Sequence, residues 1–277
     1  MTTCEAHGNP EECNQNFIIC EKHVGITCPH IGTLSETLSH PVNFGCFCTQ
    51  VVELPDSFDK KKTAEFCAID DSSFYIHAPV KWNYAPKQDY GAHHTLKQYL
   101  SMVEGLPSAV VMHVGYGTRG GSIQNVIAKA NDLQISRQPN RVEYPLLLEN
   151  AAGRGTQLAT TFDEMRQLSE GIDTPVGWCM DTQHLFASGA CDFKDHESVV
   201  KLFDDMPPRV KLIHLNDSLV PQDKSDRHQN IRQGYIWYHN DESLKTLLGL
   251  CHEKKIDMVL ETPDPYTDLQ MLRDKYL

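Results

Sequence analysis

Six short apolar segments of this chain end on a histidine or a carboxylate, the side chains that most often bind divalent metals or transfer protons. The segments SFYIH, AVVMH, YPLLLE, GWCMD, VKLIH and IDMVLE end at His77, His113, Glu149, Asp181, His214 and Glu261. His184 follows three residues after Asp181, in the loop that we expect beyond that apolar segment, and Asp226 and His228 lie two apart in a polar stretch. These groups suit Zn²⁺, with Mn²⁺ or Fe possible at one position. Nine such side chains are too many for one tetrahedral ion, and they predict a cluster of two or three ions.

The elements that must position these side chains follow from the same pattern. Short apolar runs bounded by turn residues predict buried strands, and amphipathic helical stretches separate them. Two further strands, at 16–26 and 45–52, bring the number to eight, with strand ends roughly 35 residues apart. This alternation predicts one (β/α)8 TIM barrel over residues 17–277, preceded by a polar extension at residues 1–16. In such a barrel the carboxyl ends of all strands converge on one site, so scattered ligands become a cluster.

Composition limits the class of protein. The chain has 277 residues, a formal charge of −12 and ten cysteines, with no apolar stretch long enough to span a bilayer and no basic and apolar N-terminal signal segment. We therefore expect an intracellular protein with reduced cysteines, located in the cytoplasm or the nucleus rather than secreted. The acidic charge argues against a protein that coats nucleic acid nonspecifically. It does not exclude a DNA enzyme whose metals supply local positive charge.

Two other motifs, one rich in glycine and one rich in cysteine and histidine, have simpler explanations than a cofactor or a metal. Residues 115–120 (GYGTRG) match a dinucleotide-binding glycine fingerprint, but they follow the fourth predicted strand rather than the first, so we expect no nucleotide cofactor. Cysteines and histidines at the N terminus invite a structural zinc module, but their spacing is irregular and lacks the paired Cys-x2-Cys arrangement of such sites. A solvated extension is the better interpretation.

Five segments carry a resemblance to a known family. The segments are LENAAGRG at 148–155, CMDTQH at 179–184, HLNDS at 214–218, DRH at 226–228 and LET at 260–262. They resemble, in order, the signature blocks of endonuclease IV, a family of trinuclear-zinc apurinic/apyrimidinic endonucleases of DNA base-excision repair. The resemblance extends from about residue 22 to the end of the chain.

The resemblance implies a ligand set and a reaction. It implies one zinc at His77, His113 and Glu149, and a second that Glu149 shares with Asp181, His214 and Glu261. His184, Asp226 and His228 would hold the third. The substrate implied is double-stranded DNA with an abasic site, cut 5′ to that site by in-line attack of hydroxide to leave a 3′-hydroxyl and a 5′-deoxyribose phosphate. Glu261 and Glu149 are the implied catalytic carboxylates, with Glu261 orienting or deprotonating the attacking water. We expect the protein to act as a monomer.

Candidate DNA contacts lie in the loops around the predicted barrel mouth. They are Arg227, Lys81, Trp82, Arg119 and Arg154, with Lys224 and Arg232 as further cations. The chain departs from the family at two points: Thr27 stands where the family usually has a histidine, and Val80 and Lys81 replace the Tyr and Leu of its DNA-penetrating loop. Trp82 could stack in the gap left by the lost base, or it could face the core.

Two other functions remain open. One is a sugar isomerase or epimerase of the xylose-isomerase-like barrels, which gathers similar ligands at the same rim. That chemistry needs only one or two metals, so His184 and the Asp226–His228 pair argue against it. The other is a non-catalytic DNA-binding or structural barrel, which would not need a complete ligand set.

Overall fold

A computed structural model describes residues 24–28, 38–39, 46–52, 58–69 and 71–276. Eight parallel strands close into a barrel, and two short strands form an antiparallel ribbon beside it. The strands are β1 (Val24–Cys28), β2 (Cys48–Val52), β3 (Ser73–His77), β4 (Ser108–His113), β5 (Leu146–Glu149), β6 (Val176–Asp181), β7 (Val210–His214), β8 (Asp217–Ser218), β9 (His228–Gln229) and β10 (Asp257–Leu260). Around the barrel the order is β1, β10, β7, β6, β5, β4, β3, β2, with β8 and β9 forming the ribbon. The predicted TIM barrel is confirmed.

Helices follow the barrel strands and cover the outside of the barrel. They are α1 (Lys60–Cys67), α2 (Ala92–Val103), α3 (Ile123–Asn131), α4 (Phe162–Gly171), α5 (Thr182–Ser188), α6 (His196–Asp205), α7 (Asp241–Glu253) and α8 (Pro265–Tyr276). Side chains such as Leu96, Val126 and Leu168 pack with outward-facing strand residues in one large apolar cluster. No helix in the described ranges is both long and apolar enough to span a membrane.

The two-residue period of a strand sorts its side chains between the barrel interior and the helices. In β3, Phe74 and Ile76 belong to the outer cluster, whereas Tyr75 packs inside the barrel. His77 therefore lies one step above Tyr75 on the inner face. The same step separates an inner core residue from a polar one at the carboxyl ends of five further strands: Val111 and His113, Leu147 and Glu149, Cys179 and Asp181, Leu212 and His214, and Val259 and Glu261, which directly follows β10. An inner polar layer thus sits on an inner apolar layer.

Two glycines permit close approaches near this layer. A Cβ on Gly25 of β1 would collide with the backbone carbonyl of Cys48 on β2. Gly115 has a φ of +112°, and a Cβ there would collide with the Asn83 side chain. The glycine fingerprint therefore has a packing reason in the contact between the loops after β3 and β4.

Some elements differ from the prediction or lie outside the described ranges. The extension at 1–16 and the start of the first predicted strand fall outside them. His184 was expected in a loop, but it lies in α5, because the Asp181 carboxylate caps that helix by accepting a hydrogen bond from the His184 N–H at 2.8 Å. The ribbon and α8 had no counterpart in the prediction. No disulfide joins the six buried cysteines of the described residues.

Candidate metal centre

The nine predicted ligands meet at the carboxyl end of the barrel. Seven of them line an open cavity of about 640 Å³, and Asp181 and His214 lie fully buried beneath it. The two-residue alternation of side chains along the strands brings six of the nine to this layer. Helix α5 carries His184, the ribbon carries His228, and the loop before β9 carries Asp226.

The first group surrounds one oxygen of Glu149. Oε2 of this carboxylate lies 2.9 Å from His77 Nε2 and 3.4 Å from His113 Nε2. The other ring nitrogen of His77, Nδ1, lies 2.6 Å from the Ala78 carbonyl oxygen, to which it can donate a hydrogen bond. In the neutral ring, that hydrogen bond leaves Nε2 of His77 with its lone pair directed at the site, as in metal-binding histidines.

The second group shares Glu149 with the first. Its Oε1 lies 3.0 Å from His214 Nδ1, which is also 3.1 Å from Glu261 Oε2 and 3.9 Å from Asp181 Oδ2. Donor atoms of these four residues all lie within 4.8 Å of one another. Ligands around a tetrahedral zinc are roughly 3.3 Å apart, given zinc–ligand bonds of about 2.0–2.1 Å. The donor set and spacing therefore fit a divalent ion.

The third group lies nearest the solvent. Asp226 Oδ1 is 3.4 Å from His184 Nε2 and 3.3 Å from His228 Nε2. Both nitrogens are buried and lack a hydrogen-bond partner among the described residues. Their Nδ1 atoms face the backbone carbonyls of Asn150 and Glu261. Buried, unpartnered nitrogens that converge on a carboxylate are what a cation would satisfy.

Asp181 links the second and third groups. Its Oδ2 lies 3.6 Å from His228 Nε2, and its donor atoms also cluster with those of His184 and His228. The resemblance implied Asp181 for the second ion alone, so the geometry adds contact with the third group.

Three buried amides that sequence reasoning missed support the ligands. Gln50 Nε2 donates to Glu261 Oε1 at 2.6 Å, and Gln50 Oε1 lies 2.9 Å from His214 Nε2. Asn216 donates to Asp181 Oδ2 at 2.7 Å, and Asn150 Oδ1 accepts from the Asp181 backbone N–H. Asn150 and Asn216 follow predicted ligands within two residues, a signal that could have found them. Gln50 lies near no predicted ligand in the sequence, because β2 ends on Val52 rather than on a histidine or a carboxylate.

Without cations, protonated imidazoles such as His77 and His228 serve as counter-charges to the carboxylates. Burial opposes protonation of His77, but the hydrogen bond and charge of Glu149 raise its pKa to about 9. Burial likewise opposes protonation of His228, but the charge of Asp181 raises its pKa to about 9. Burial would raise the pKa of Glu149, yet His113 and His214 hold it well below its usual range. Divalent ions and protons would compete for the same atoms.

The candidate DNA contacts differ in exposure and in the groups that they contact. Arg227, Arg154, Lys81 and Arg119 are exposed, and none has a carboxylate within 4 Å among the described residues. Arg232 is committed instead to Asp241, with Arg232 Nε 2.8 Å from Asp241 Oδ1. Trp82 is half-buried and packs edge-on against Tyr99, and it lines a second cavity rather than the one that holds the ligands. Thr27 and Val80 line the main cavity.

Comparison with known proteins connects this centre to a family. The family model described as xylose isomerase-like TIM barrel matches residues 59–241. The chain is 28% identical over 266 residues to a protein of Acholeplasma laidlawii named probable endonuclease 4, covering 89% of this chain and 85% of that protein. It is 30% identical over 221 residues to the protein of the same name from Methanosphaera stadtmanae, covering 72% of this chain and 76% of that protein. Matches to some other proteins of that name span about 60% of their length.

Solved structures agree on the fold. Endonuclease IV from Thermus thermophilus superposes with a TM-score of 0.75 at 22% identity, covering 91% of this chain and 98% of that one. A D-allulose 3-epimerase from Methylomonas sp. superposes with a TM-score of 0.62 at 12% identity, covering 92% and 98%. The family model covers well over half of the chain, and a relative that is 30% identical over 72% of the chain is named probable endonuclease 4, so the chain belongs to the xylose isomerase-like TIM barrel family and, within it, to the endonuclease IV family of enzymes.

Proposed function

We propose that this protein is a zinc-dependent apurinic/apyrimidinic endonuclease of DNA base-excision repair. It would hydrolyse the phosphodiester 5′ to an abasic site and leave a 3′-hydroxyl and a 5′-deoxyribose phosphate. The observation that carries the proposal is the convergence of nine candidate ligands into three adjoining groups at one open cavity, in a chain whose sequence relatives are named probable endonuclease 4.

The residues present fit three divalent ions. We propose His77, His113 and Glu149 for the first, Glu149, Asp181, His214 and Glu261 for the second, and His184, Asp226 and His228 for the third. When bound, such ions would act as Lewis acids on the phosphate oxygens and as a source of hydroxide at neutral pH. Zinc suits this mixed imidazole and carboxylate set, with Mn²⁺ or Fe possible at one position.

Charge explains how an acidic protein could hold a phosphodiester here. Three divalent ions carry six positive charges against four ligand carboxylates, so the loaded centre is cationic although the chain carries −12. Arg227, exposed between the ligands Asp226 and His228, would contact a phosphate beside the scissile one.

Glu261 is the carboxylate that would act on the attacking water. Its side chain lines the cavity and is 14% exposed, whereas Glu149 is 1% exposed. Burial would raise the pKa of Glu261, but His214 and His77 lower it below its usual value, so the carboxylate is ionised at neutral pH and free to accept a hydrogen bond from the attacking water. Gln50 holds Oε1 of Glu261, which leaves Oε2 to face the site.

The test is nicking of duplex DNA that carries a tetrahydrofuran abasic analogue. We expect the zinc-loaded protein to cut this duplex 5′ to the analogue, to leave a 3′ end that a DNA polymerase extends, and to spare undamaged duplex. Glu261→Gln should retain most of its metal and lose most of this activity, which metal analysis and nicking kinetics would show. Epimerisation of ketoses without nicking would overturn the proposal in favour of the sugar-epimerase alternative. Because the substrate of this reaction would be cellular DNA, we expect the protein in the cytoplasm, the nucleus or a DNA-replication compartment, and we expect a monomer on a sizing column.

A further inference from the structure

A second cavity of about 460 Å³ opens beside the metal-centre cavity on the same rim of the barrel. We call it the rim pocket. It is formed by the loop between β3 and α2 and the loop between β4 and α3, and its walls include Lys81, Trp82, Tyr90, Tyr116 and Arg119. Val80 lines the main cavity and Lys81 lines the rim pocket, so one turn separates the two.

Three aromatic side chains face this pocket. Tyr90 is 55% exposed, Tyr116 is partly exposed, and Trp82 is half-buried with its ring held edge-on against Tyr99 at a centroid distance of 5.5 Å. Aromatic rings that line a concave site and keep part of their surface exposed can serve as a stacking platform for other planar groups. They offer a surface to a nucleobase of any identity, because every base has a π-face.

Two cations complete the pocket. The Arg119 guanidinium lies over the Tyr90 ring, 5.0 Å from its centroid, and Lys81 is exposed at the opening. Neither has a carboxylate within 4 Å in the described part of the chain. In a protein of charge −12, two cations without close acidic partners at an aromatic pocket favour an anionic, planar ligand.

The pocket is built rather than incidental. Asn83 Oδ1 accepts hydrogen bonds from the backbone N–H groups of Tyr116 at 2.8 Å and Ala85 at 3.2 Å, and Asn83 Nδ2 donates to Thr118. These bonds tie the two loops together. Arg119 itself has a φ of +56°, a left-handed conformation that costs energy for a residue other than glycine and that clusters at binding sites.

The amino end of α2 also borders the pocket, but it is already satisfied. Asp89 Oδ1 accepts hydrogen bonds from the backbone N–H groups of Gly91 and His93. A phosphate would therefore be held by Lys81 and Arg119 rather than by the helix.

We propose that the rim pocket binds a nucleobase unstacked from the DNA strand next to the lesion, with its phosphate on Lys81 and Arg119. The proposal rests on the proposed function, because an abasic site removes the pairing and stacking that would otherwise hold nearby bases in the duplex. It also gives Trp82 a place in lesion binding as a pocket wall rather than a wedge.

The structure supplies a built-in reporter for the test. Of the three tryptophans in the chain, Trp178 and Trp237 are 2% and 0% exposed, so quenching of tryptophan emission by a ligand reports on Trp82. We expect an oligonucleotide of four thymidines, which has no abasic site to cut, to quench the zinc-loaded protein. Thymidine monophosphate should quench only at much higher concentration, and inorganic phosphate should not quench.

Two exposed positions separate stacking from charge. Tyr90→Ala should weaken binding of the oligonucleotide by about fivefold to a hundredfold, the range that loss of one base–aromatic stack produces. Arg119→Ala should weaken it and flatten its salt dependence. The matched control is Arg137→Ala, because Arg137 also lies over a tyrosine, Tyr144, before β5 at the opposite end of the barrel. This control should bind like the wild-type protein.

The outcomes are distinguishable. An oligonucleotide that fails to quench, or that binds Tyr90→Ala as tightly as the wild-type protein, overturns the rim pocket even if nicking at abasic sites is efficient. Equal affinity for thymidine monophosphate would make this a free-nucleotide site and overturn the DNA assignment. Oligonucleotide binding that depends on Tyr90, in a protein that does not nick abasic DNA, would refute the proposed endonuclease activity and support nucleobase binding in the rim pocket. If both hold, Tyr90→Ala should raise KM for nicking with unchanged metal content.

Discussion

Gln50 contacts two predicted ligands at once from the buried inner face of β2. Its amide donates to Glu261 Oε1 at 2.6 Å, and its carbonyl oxygen lies 2.9 Å from His214 Nε2. When His214 Nε2 carries the ring proton, it donates a hydrogen bond to Gln50 Oε1. Nδ1 of His214 then has the lone pair, and it faces Glu149 and Glu261. Gln50 therefore sets both the tautomer of one ligand and the orientation of another.

The change that tests this role is Gln50→Met, which keeps the length and approximate volume of the side chain and removes both hydrogen bonds. Outer contacts of this kind are worth about tenfold to a hundredfold in metal affinity, or roughly 1.4–2.8 kcal/mol. The loss falls on the second ion, because Glu261 and His214 belong to its ligand group. We expect the variant to lose one equivalent of zinc at a chelator concentration that the wild-type protein withstands.

The assay is metal content by mass spectrometry across a chelator titration, with thermal unfolding alongside. Thr49→Val is the matched control, since it removes a buried hydrogen bond from the neighbouring residue of the same strand, from Thr49 Oγ1 to the Ile26 carbonyl. The control should lower stability with zinc retention unchanged. Zinc retention in Gln50→Met equal to that of the wild-type protein would refute the tautomer argument.

Three further predictions concern protons, phosphate and the ribbon. Protein stripped of metal by a chelator should lose thermal stability as the pH rises from about 6.5 to 9, because His77 and His228 have pKa values raised to about 9 and stabilise the fold only while protonated. Added zinc should abolish this pH dependence. A melting temperature of the metal-free protein that does not change with pH would contradict the prediction. Arg227→Gln should weaken binding of abasic duplex and reduce its salt dependence by about one charge, measured by anisotropy at several salt concentrations. Asp217→Ala should lower the free energy of unfolding by roughly 1–3 kcal/mol and weaken binding of the third ion, because the Asp217 carboxylate accepts hydrogen bonds from the backbone N–H groups of Gly234 and Ile236 beside the ribbon. Denaturant titration measures the first effect and zinc content the second.

The sequence by itself determined the fold and the predicted ligand set, because the alternation of side chains between the two faces of a strand is a local property of the chain. An apolar run that closes on a histidine or carboxylate places that group two residues above a core residue on the same face, whatever the rest of the chain does. Six repetitions of this pattern, together with two further apolar runs and the helical stretches between them, predicted the barrel and the convergence of His77, His113, Glu149, Asp181, His214 and Glu261.

Tertiary structure alone decided the groups that act across the barrel. Gln50 meets His214 and Glu261 over separations of 164 and 211 residues, and only barrel closure brings them within hydrogen-bond distance. The position of Asp181 between two ligand groups depends on α5 and the ribbon, which are too short to leave a periodic signal. The rim pocket likewise depends on two loops tied together by Asn83, because loop geometry follows from through-space contacts rather than from residue spacing.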